Sequence, residues 1–352
     1  MKIAITADFH LGSKKDYPSR YNALENILEQ ITEKKINSLI IAGDLFDENC
    51  NHYVEFDKIA SKYRHITFHV IPGNHDAAID NKTITSKNVE IYSSPSIKKL
   101  DESGLHFFFV PYQKCSVMGE ILASKAIELA EKNWILIGHG DWESGIKTSN
   151  PLEPGVYMPL CKKDINLFKP THVFLGHIHK PFDEDCLCYP GSPCGLDITE
   201  TGKRRFLIYD TEKKGIEINY VDTDMIYHLE NISILPLKDE ESYLRDQIKK
   251  IVKGWDLQEN DKKKVHIRIK IRGYSSDLRK LKEIVHDEFK DFCFYNGEDI
   301  DLSEVFRSDN YDLEEIARKT AEKIQEIWPV EAYPPTYDEV LFHALKTIYG
   351  GK

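Results

Sequence analysis

The chain has little that suits a cross-linked or membrane-embedded protein. Its cysteines are few and odd in number, seven in 352 residues, which does not suit a disulfide framework. Cys186, Cys188 and Cys194 cluster, but with C-x-C spacing and no second Cys/His pair nearby. Reduced thiols are therefore expected there, not a structural zinc. No stretch approaches the roughly 18 apolar residues of a membrane span. The run Ile3-Ala4-Ile5 soon meets Asp8 and is too short for a secretory h-region, so an intracellular, cytoplasmic protein with no membrane partner is expected. Positive charge is in deficit, with 47 basic against 58 acidic residues and a net charge of −11. That excludes a protein that simply coats nucleic acid. With 41% hydrophobic and 30% charged residues, disorder and low complexity are excluded too.

What the chain does have is a repeated arrangement. Short apolar runs end abruptly in residues that bind metal or carry protons. Lys2–Ala7 runs into Asp8 and His10, Leu39–Gly43 into Asp44, and His69–Gly73 into Asn74, His75 and Asp76. Trp134–Gly138 runs into His139, and Val173–Gly176 into His177 and His179. Apolar runs of this length bounded by Gly or Pro read as buried strands. Helical patterns such as Tyr21, Leu24, Ile27, Leu28 and Ile31 separate them. The alternation predicts a layered α/β architecture, in which ligands gather at the carboxyl ends of strands.

The length suggests two domains with a helical appendix. A hairpin is expected from Phe206–Tyr209 and Ile216–Val221 around a Lys213-Lys214-Gly215 turn, closing the first domain, 1–227. A small α+β domain, 228–300, follows. Its strand Val265–Arg272 alternates apolar and polar residues, as a half-buried strand must. Segment 301–352 reads as helical: Asp312-x-x-Glu315 resembles a capping box, Pro329, Pro334 and Pro335 interrupt the pattern, and Thr336-x-x-Glu339 opens a last helix ending at Gly350-Gly351.

Together the strand-end residues Asp8, His10, Asp44, Asn74, His139, His177 and His179 form a mixed oxygen and nitrogen donor set without thiolate. Such a set suits manganese, iron or zinc better than magnesium or calcium. Seven donors exceed one ion's needs and fit two ions sharing a carboxylate, the arrangement that clamps an in-line phosphoryl displacement.

Asp8-x-His10, Gly43-Asp44, Gly73-Asn74-His75-Asp76, Gly138-His139 and Gly176-His177-x-His179 resemble the calcineurin-like metallophosphoesterase signature over roughly residues 1–200. Within that superfamily, Asp8-Phe9-His10-Leu11-Gly12, Gly43-Asp44-Leu45-Phe46-Asp47, Gly176-His177-Ile178-His179 and Tyr189-Pro190-Gly191-Ser192-Pro193 resemble the SbcD nuclease subunits of SbcC–SbcD DNA-repair complexes. The resemblance implies a layered β-sandwich core flanked by helices, a small α+β DNA-capping domain and a helical C-terminus. It further implies two divalent ions, manganese being the expected one. Asp8, His10, Asp44 and His179 would hold one ion. Asp44, Asn74, His139 and His177 would hold the other, with Asp44 bridging. His75, ligating neither, would act on the phosphate as the catalytic residue. Some family members carry a second active-site His three residues after the bridging Asp; this chain has Asp47 there, and Asp47 stays outside the catalytic set.

Residues 262–282 hold nine basic side chains against one acid, Asp277. Arg268, Lys270 and Arg272 share one side of the alternating strand and are the candidate contacts for DNA phosphates. Residues 296–352 hold 6 basic and 13 acidic residues, so that end suits a protein partner. The resemblance implies an SbcC-like SMC/ABC-type ATPase there, and a homodimer is possible. The expectation is a two-metal DNA nuclease, exo- or endonucleolytic, in repair and recombination. The alternatives are a calcineurin-like hydrolase of small phosphodiesters or phosphoproteins, and a non-catalytic scaffold of a repair complex.

Overall fold

The computed structural model describes residues 1–48, 52–130, 132–143, 155–235, 239–308, 313–328 and 337–350. It divides into two units, one of Met1–Leu196 with Lys203–Asp224, the other of Asp197–Gly202 with Met225–Lys352.

The strands of the first unit are β1 (Lys2–Thr6), β2 (Ser38–Ala42), β3 (Thr67–Ile71), β4 (Val89–Ile91), β5 (Ser96–Lys98), β6 (His106–Val110) and β7 (Trp134–His139). They continue with β8 (Trp142–Glu143), β9 (Leu160–Cys161), β10 (His172–Gly176), β11 (Phe182–Glu184), β12 (Leu187–Tyr189), β13 (Arg205–Asp210) and β14 (Gly215–Tyr220). Two six-stranded sheets result, ordered β14-β13-β1-β2-β3-β4 and β11-β12-β10-β7-β6-β5, while β8 and β9 form a small ribbon. The central strands β1, β2 and β3 are parallel to one another, as are β6, β7 and β10.

Three apolar layers explain why these strands read as continuous runs. Ile3, Ile5, Ile40, Ile71, Phe107, Phe109, Ile135, Ile137 and Phe174 pack between the sheets. The intervening residues Ala4, Leu39, Ile41, Phe68 and Val70 face outward, against Tyr21, Leu24, Ile27, Leu28 and Ile31. Those five lie on the helix Pro18–Glu33, which Pro18 opens with its φ already preset. On the other sheet Phe108, Leu136, Val173 and Leu175 meet Met118 and Leu122 of the helix Met118–Ser124. A strand covered on both faces has no polar side to show. The architecture is thus α/β, a two-sheet sandwich flanked by helices. The 206–221 hairpin is present as antiparallel β13 and β14.

The second unit is built on β15 (Ile226–Ile234), β16 (Val265–Ser275), β17 (Cys293–Phe294) and β18 (Asp301–Arg307). All pair with β16 in parallel. Val265, Ile267, Ile269 and Ile271 are buried against Leu244 and Ile248 of the helix Glu240–Gly254 and Leu281, Ile284 and Val285 of the helix Leu278–Glu288. The Asp277 carboxylate caps that second helix by accepting the Arg279 and Lys280 N–H groups. Residues 301–307 correct the helical reading of the C-terminal segment, because they form a strand. Their pattern hides it: Val305 is the one buried residue among seven, and pairing to β16 rather than amphipathic alternation holds them extended. Helices Glu314–Ile327 and Tyr337–Tyr349 follow, packing through Ala317, Ala321, Ile324, Leu341 and Leu345 onto Leu235 and Tyr274. Asp312, Pro329, Pro334, Pro335, Thr336 and Gly351 lie outside the described residues. No helix among the described residues is long and apolar enough to cross a membrane.

Candidate metal centre

The site forms where parallel strands of both sheets end. Asp8 and His10 follow β1, Asp44 follows β2, Asn74 and His75 follow β3, His139 ends β7, and His177 and His179 follow β10. The chain leaves the strands through left-handed backbone at Asp8 (φ 56°), His10 (φ 49°) and Asp44 (φ 49°). Ladder-like bonds hold these turns, with the Asp8 N–H donating to Gly43 O at 3.1 Å and the His10 N–H to Asp44 O at 2.9 Å. Two glycines are required by space. A Cβ on Gly43 (φ +94°) would lie 2.1 Å from His139 Nδ1, and one on Gly73 would lie 2.1 Å from Asp44 Oδ1.

All seven expected donors come together. His10 Nε2 and His179 Nε2 face each other at 3.0 Å. Asp44 Oδ2 lies 3.7 Å from His10 Nε2 and 3.3 Å from His139 Nε2, so one carboxylate oxygen reaches both halves. Asn74 Oδ1 is 2.8 Å from His139 Nε2 and 3.1 Å from His177 Nδ1. His139 turns Nδ1 toward Ala42 O at 2.9 Å, which fixes its tautomer and leaves Nε2 as donor to a metal. Asp8, His10 and His179 form one trio whose donor atoms lie within 4.8 Å of one another, and Asp44, His139 and His177 form another. His10, Asp44 and His75 form a third.

The electrostatics show that this donor set fits cations. Asp8 is fully buried, and burial pushes its carboxyl up. Its Oδ1 accepts the His177 N–H at 2.9 Å, while Oδ2 has no hydrogen-bond partner. A buried carboxylate oxygen left without a donor is costly unless a cation meets it. Burial would also raise Asp44, but His139 and His10 hold it well below the usual carboxylate range. Burial opposes charge on His139, yet Asp44 carries that ring up to about 9. Opposed imidazole nitrogens and a carboxylate at such distances hold either protons or metal ions.

Residues outside the expected donor set and His75 also shape the site. Asp76 is a buried clamp, its two oxygens accepting the Phe46 N–H at 3.0 Å and the Gly73 N–H at 2.7 Å. Burial, with Asp44 nearby, pushes its carboxyl up to about 7. Asp141 lies 3.5 Å from His177 Nε2 and follows Gly138-His139-Gly140, a string that could have flagged it. Asp47 lies 3.3 Å from His75 Nδ1 and 3.7 Å from His10 Nδ1. A cleft of about 690 Å³ opens over the centre, lined by His10, Asn74, His75 and His179 together with Asp47, Tyr112, Lys114 and Tyr157. The Tyr157 ring packs 4.6 Å from that of His177. No local pattern marks the tyrosines in the sequence, because they arrive on loops.

Arg268, Lys270 and Arg272 do share one side of β16, in the second unit, but each meets a carboxylate. Arg268 Nε lies 2.7 Å from Glu298, Lys270 Nζ 3.3 Å from Glu304 and Arg272 Nε 2.6 Å from Glu304. The clustered cysteines join no metal-binding group among the described residues.

The calcineurin-like phosphoesterase family matches residues 1–200. Two solved structures are similar more loosely. A novel archaeal phosphodiesterase is 18% identical over 63% of this chain and 100% of its own, with a TM-score of 0.36. A second crystal structure is 13% identical over 63% of this chain and 99% of its own, with a TM-score of 0.41. Scores that low leave the assignment to the family match. Since that match spans residues 1–200 and takes in all seven donors, this chain belongs to the calcineurin-like phosphoesterases, metal-dependent hydrolases of phosphoester bonds with a dinuclear metal site.

Proposed function

We propose that this chain cleaves phosphodiester bonds in DNA, as the nuclease subunit of an SbcC–SbcD-like repair and recombination complex, with manganese as its ion. The observation that carries the reading is the wall of the cleft. Beside the donors it offers two aromatic rings, Tyr112 and Tyr157, and one cation, Lys114. A nucleic acid strand presents stackable bases and repeated phosphates, and clefts that bind it combine these two elements. The SbcD-like strings around Asp8, Asp44 and Tyr189 support the same reading. Bound ions would supply Lewis acidity at the phosphoryl oxygen and acidify water. The chain's own part is to orient: His75 stands beside the donor set, with Asp47 against its Nδ1, and faces the cleft where a phosphate oxygen or leaving group would lie.

For partners, the helix Glu314–Ile327 leaves Ile316 and Ile327 more than half exposed, which suits an apolar contact with the SbcC-like ATPase or a second copy. DNA contact by Arg268, Lys270 and Arg272 requires each to exchange a carboxylate for a phosphate. The runner-up, a hydrolase of small phosphodiesters, is favoured by that ion pairing and by the acidic Asp47 and Glu48 in the cleft lining.

The test is an assay of end-labelled DNA and of bis(p-nitrophenyl) phosphate, each with manganese and with chelator. Metal-dependent cleavage of both substrates is the expected result. Turnover of the aryl diester with DNA left intact would sink the nuclease reading and favour the small-substrate one.

A further inference from the structure

Two arginines outside the motifs grip the backbone of the metal centre in matching ways. Arg20, on the helix Pro18–Glu33, donates through Nη1 to the carbonyl of His10. Arg204, just ahead of β13 and 1% exposed, donates through Nη2 to the carbonyl of His179. His10 and His179 are the two histidines whose Nε2 atoms face each other at 3.0 Å. Each guanidinium thus holds the backbone carbonyl of one member of that pair.

Both are anchored elsewhere. Arg20 Nη1 lies 3.0 Å from Asp47 Oδ2, and its guanidinium stacks 4.2 Å over the Tyr17 ring. Arg204 donates through Nε to Ser192 O at 2.8 Å and through Nη2 to Ser192 Oγ at 2.8 Å, while the Ser192 N–H donates to His179 O at 3.0 Å. His10 is held in left-handed backbone (φ 49°), a conformation non-glycine residues leave unless their surroundings fix it.

We infer that Arg20 and Arg204 are positioning residues which preorganise the His10–His179 pair, and with it the half of the metal centre that includes Asp8, by holding the two histidines' own carbonyls. The inference rests on the metal-centre reading above. Charge separates it from an electrostatic role. A cation beside a cation site opposes binding, so an arginine acting through its charge lowers metal affinity, and removing it raises that affinity. An arginine acting through geometry does the reverse.

The test is calorimetric titration of manganese into chelator-stripped protein, using wild type, Arg204→Met and Arg20→Gln, with circular dichroism as the check on folding. The expected result is two sites in wild type, one of them weakened roughly 10- to 100-fold in each variant, as when other partners that orient metal ligands are removed. The second site, built on Asn74, His139 and His177, should stay within a few-fold of wild type. Arg204 is deeply buried, so Arg20→Gln, whose side chain reaches solvent at one edge, carries the test if Arg204→Met does not fold. Unchanged or increased affinity in folded Arg20→Gln overturns the inference. A wild-type chain that takes up no manganese overturns the metal-centre reading itself, a result the variants cannot mimic.

Discussion

Asp47 sets one carboxylate oxygen, Oδ1, 3.3 Å from Nδ1 of His75. It stands three residues after Asp44. Burial would raise the Asp47 carboxyl, but His10, His75 and Arg20 together hold it far below the usual range, so it stays ionised at any working pH. An ionised partner at Nδ1 orients the ring and leaves Nε2 for the cleft. Asp47 also lies 3.7 Å from Nδ1 of the candidate ligand His10, so Asp47→Asn should lower kcat on bis(p-nitrophenyl) phosphate by roughly 10- to 100-fold, the usual effect of losing an outer partner of a metal-ligating histidine. A variant with full turnover would reduce Asp47 to an ordinary acid of the cleft mouth.

Asp44 and His75 should separate by metal content. Asp44 reaches both donor trios through one oxygen, so Asp44→Ala should lose both ions. His75→Asn should abolish turnover while elemental analysis still finds two ions per chain. Loss of an ion from His75→Asn would move that residue into the ligand set, as its place beside His10 and Asp44 allows.

The second unit carries its own pH response. Burial holds His228 down at about 4, its ring stacked 4.0 Å from Trp255 and its Nδ1 3.8 Å from Glu230. In the unfolded chain a histidine titrates near 6.5. Between those values the unfolded state binds a proton that the folded state refuses. The stability is thus fully present above about pH 6.5 and falls as pH drops toward 4, by on the order of 3 kcal/mol if the whole shift is realised. His228→Phe, which keeps the stack, should flatten the difference in urea midpoint between pH 7 and pH 5. An identical pH dependence in the variant would refute the assignment.

How much of this was legible follows from where the information lies. Each donor ends a buried strand or follows one within four residues, and the strand and its ligand are adjacent in sequence, so both could be read together. His75 could be found the same way. Arg20 and Arg204 could not, since their function lies in bonds to the carbonyls of residues 10 and 25 positions away. The basic count of 262–282 was incomplete in the same manner: the acids that meet Arg268, Lys270 and Arg272, namely Glu298, Asp301 and Glu304, lie beyond the window, and Asp301 and Glu304 reach β16 because residues 301–307 pair with it as a strand.

That pairing sharpens the test of the basic side of β16. Arg268→Ala, Lys270→Ala and Arg272→Ala together remove three cations and leave Glu298, Asp301 and Glu304 without them, so DNA affinity should fall for every sequence alike. The slope of log K against log salt should shrink by about 0.9 for each duplex phosphate no longer neutralised. Charge repulsion from the freed acids could lower affinity on its own, so the opposite change is the sharper one. Glu304→Gln removes the carboxylate partner of Arg272 and leaves Lys270 only the longer contact to Asp301 at 3.9 Å, and it should raise affinity and steepen the salt slope if those cations meet phosphates. Turnover of bis(p-nitrophenyl) phosphate should stay at the wild-type value in both variants, because no residue of the metal centre is touched. DNA affinity that is indifferent to Glu304→Gln would mark these residues as an ion-paired surface and leave DNA contact to the cleft at Tyr112, Lys114 and Tyr157.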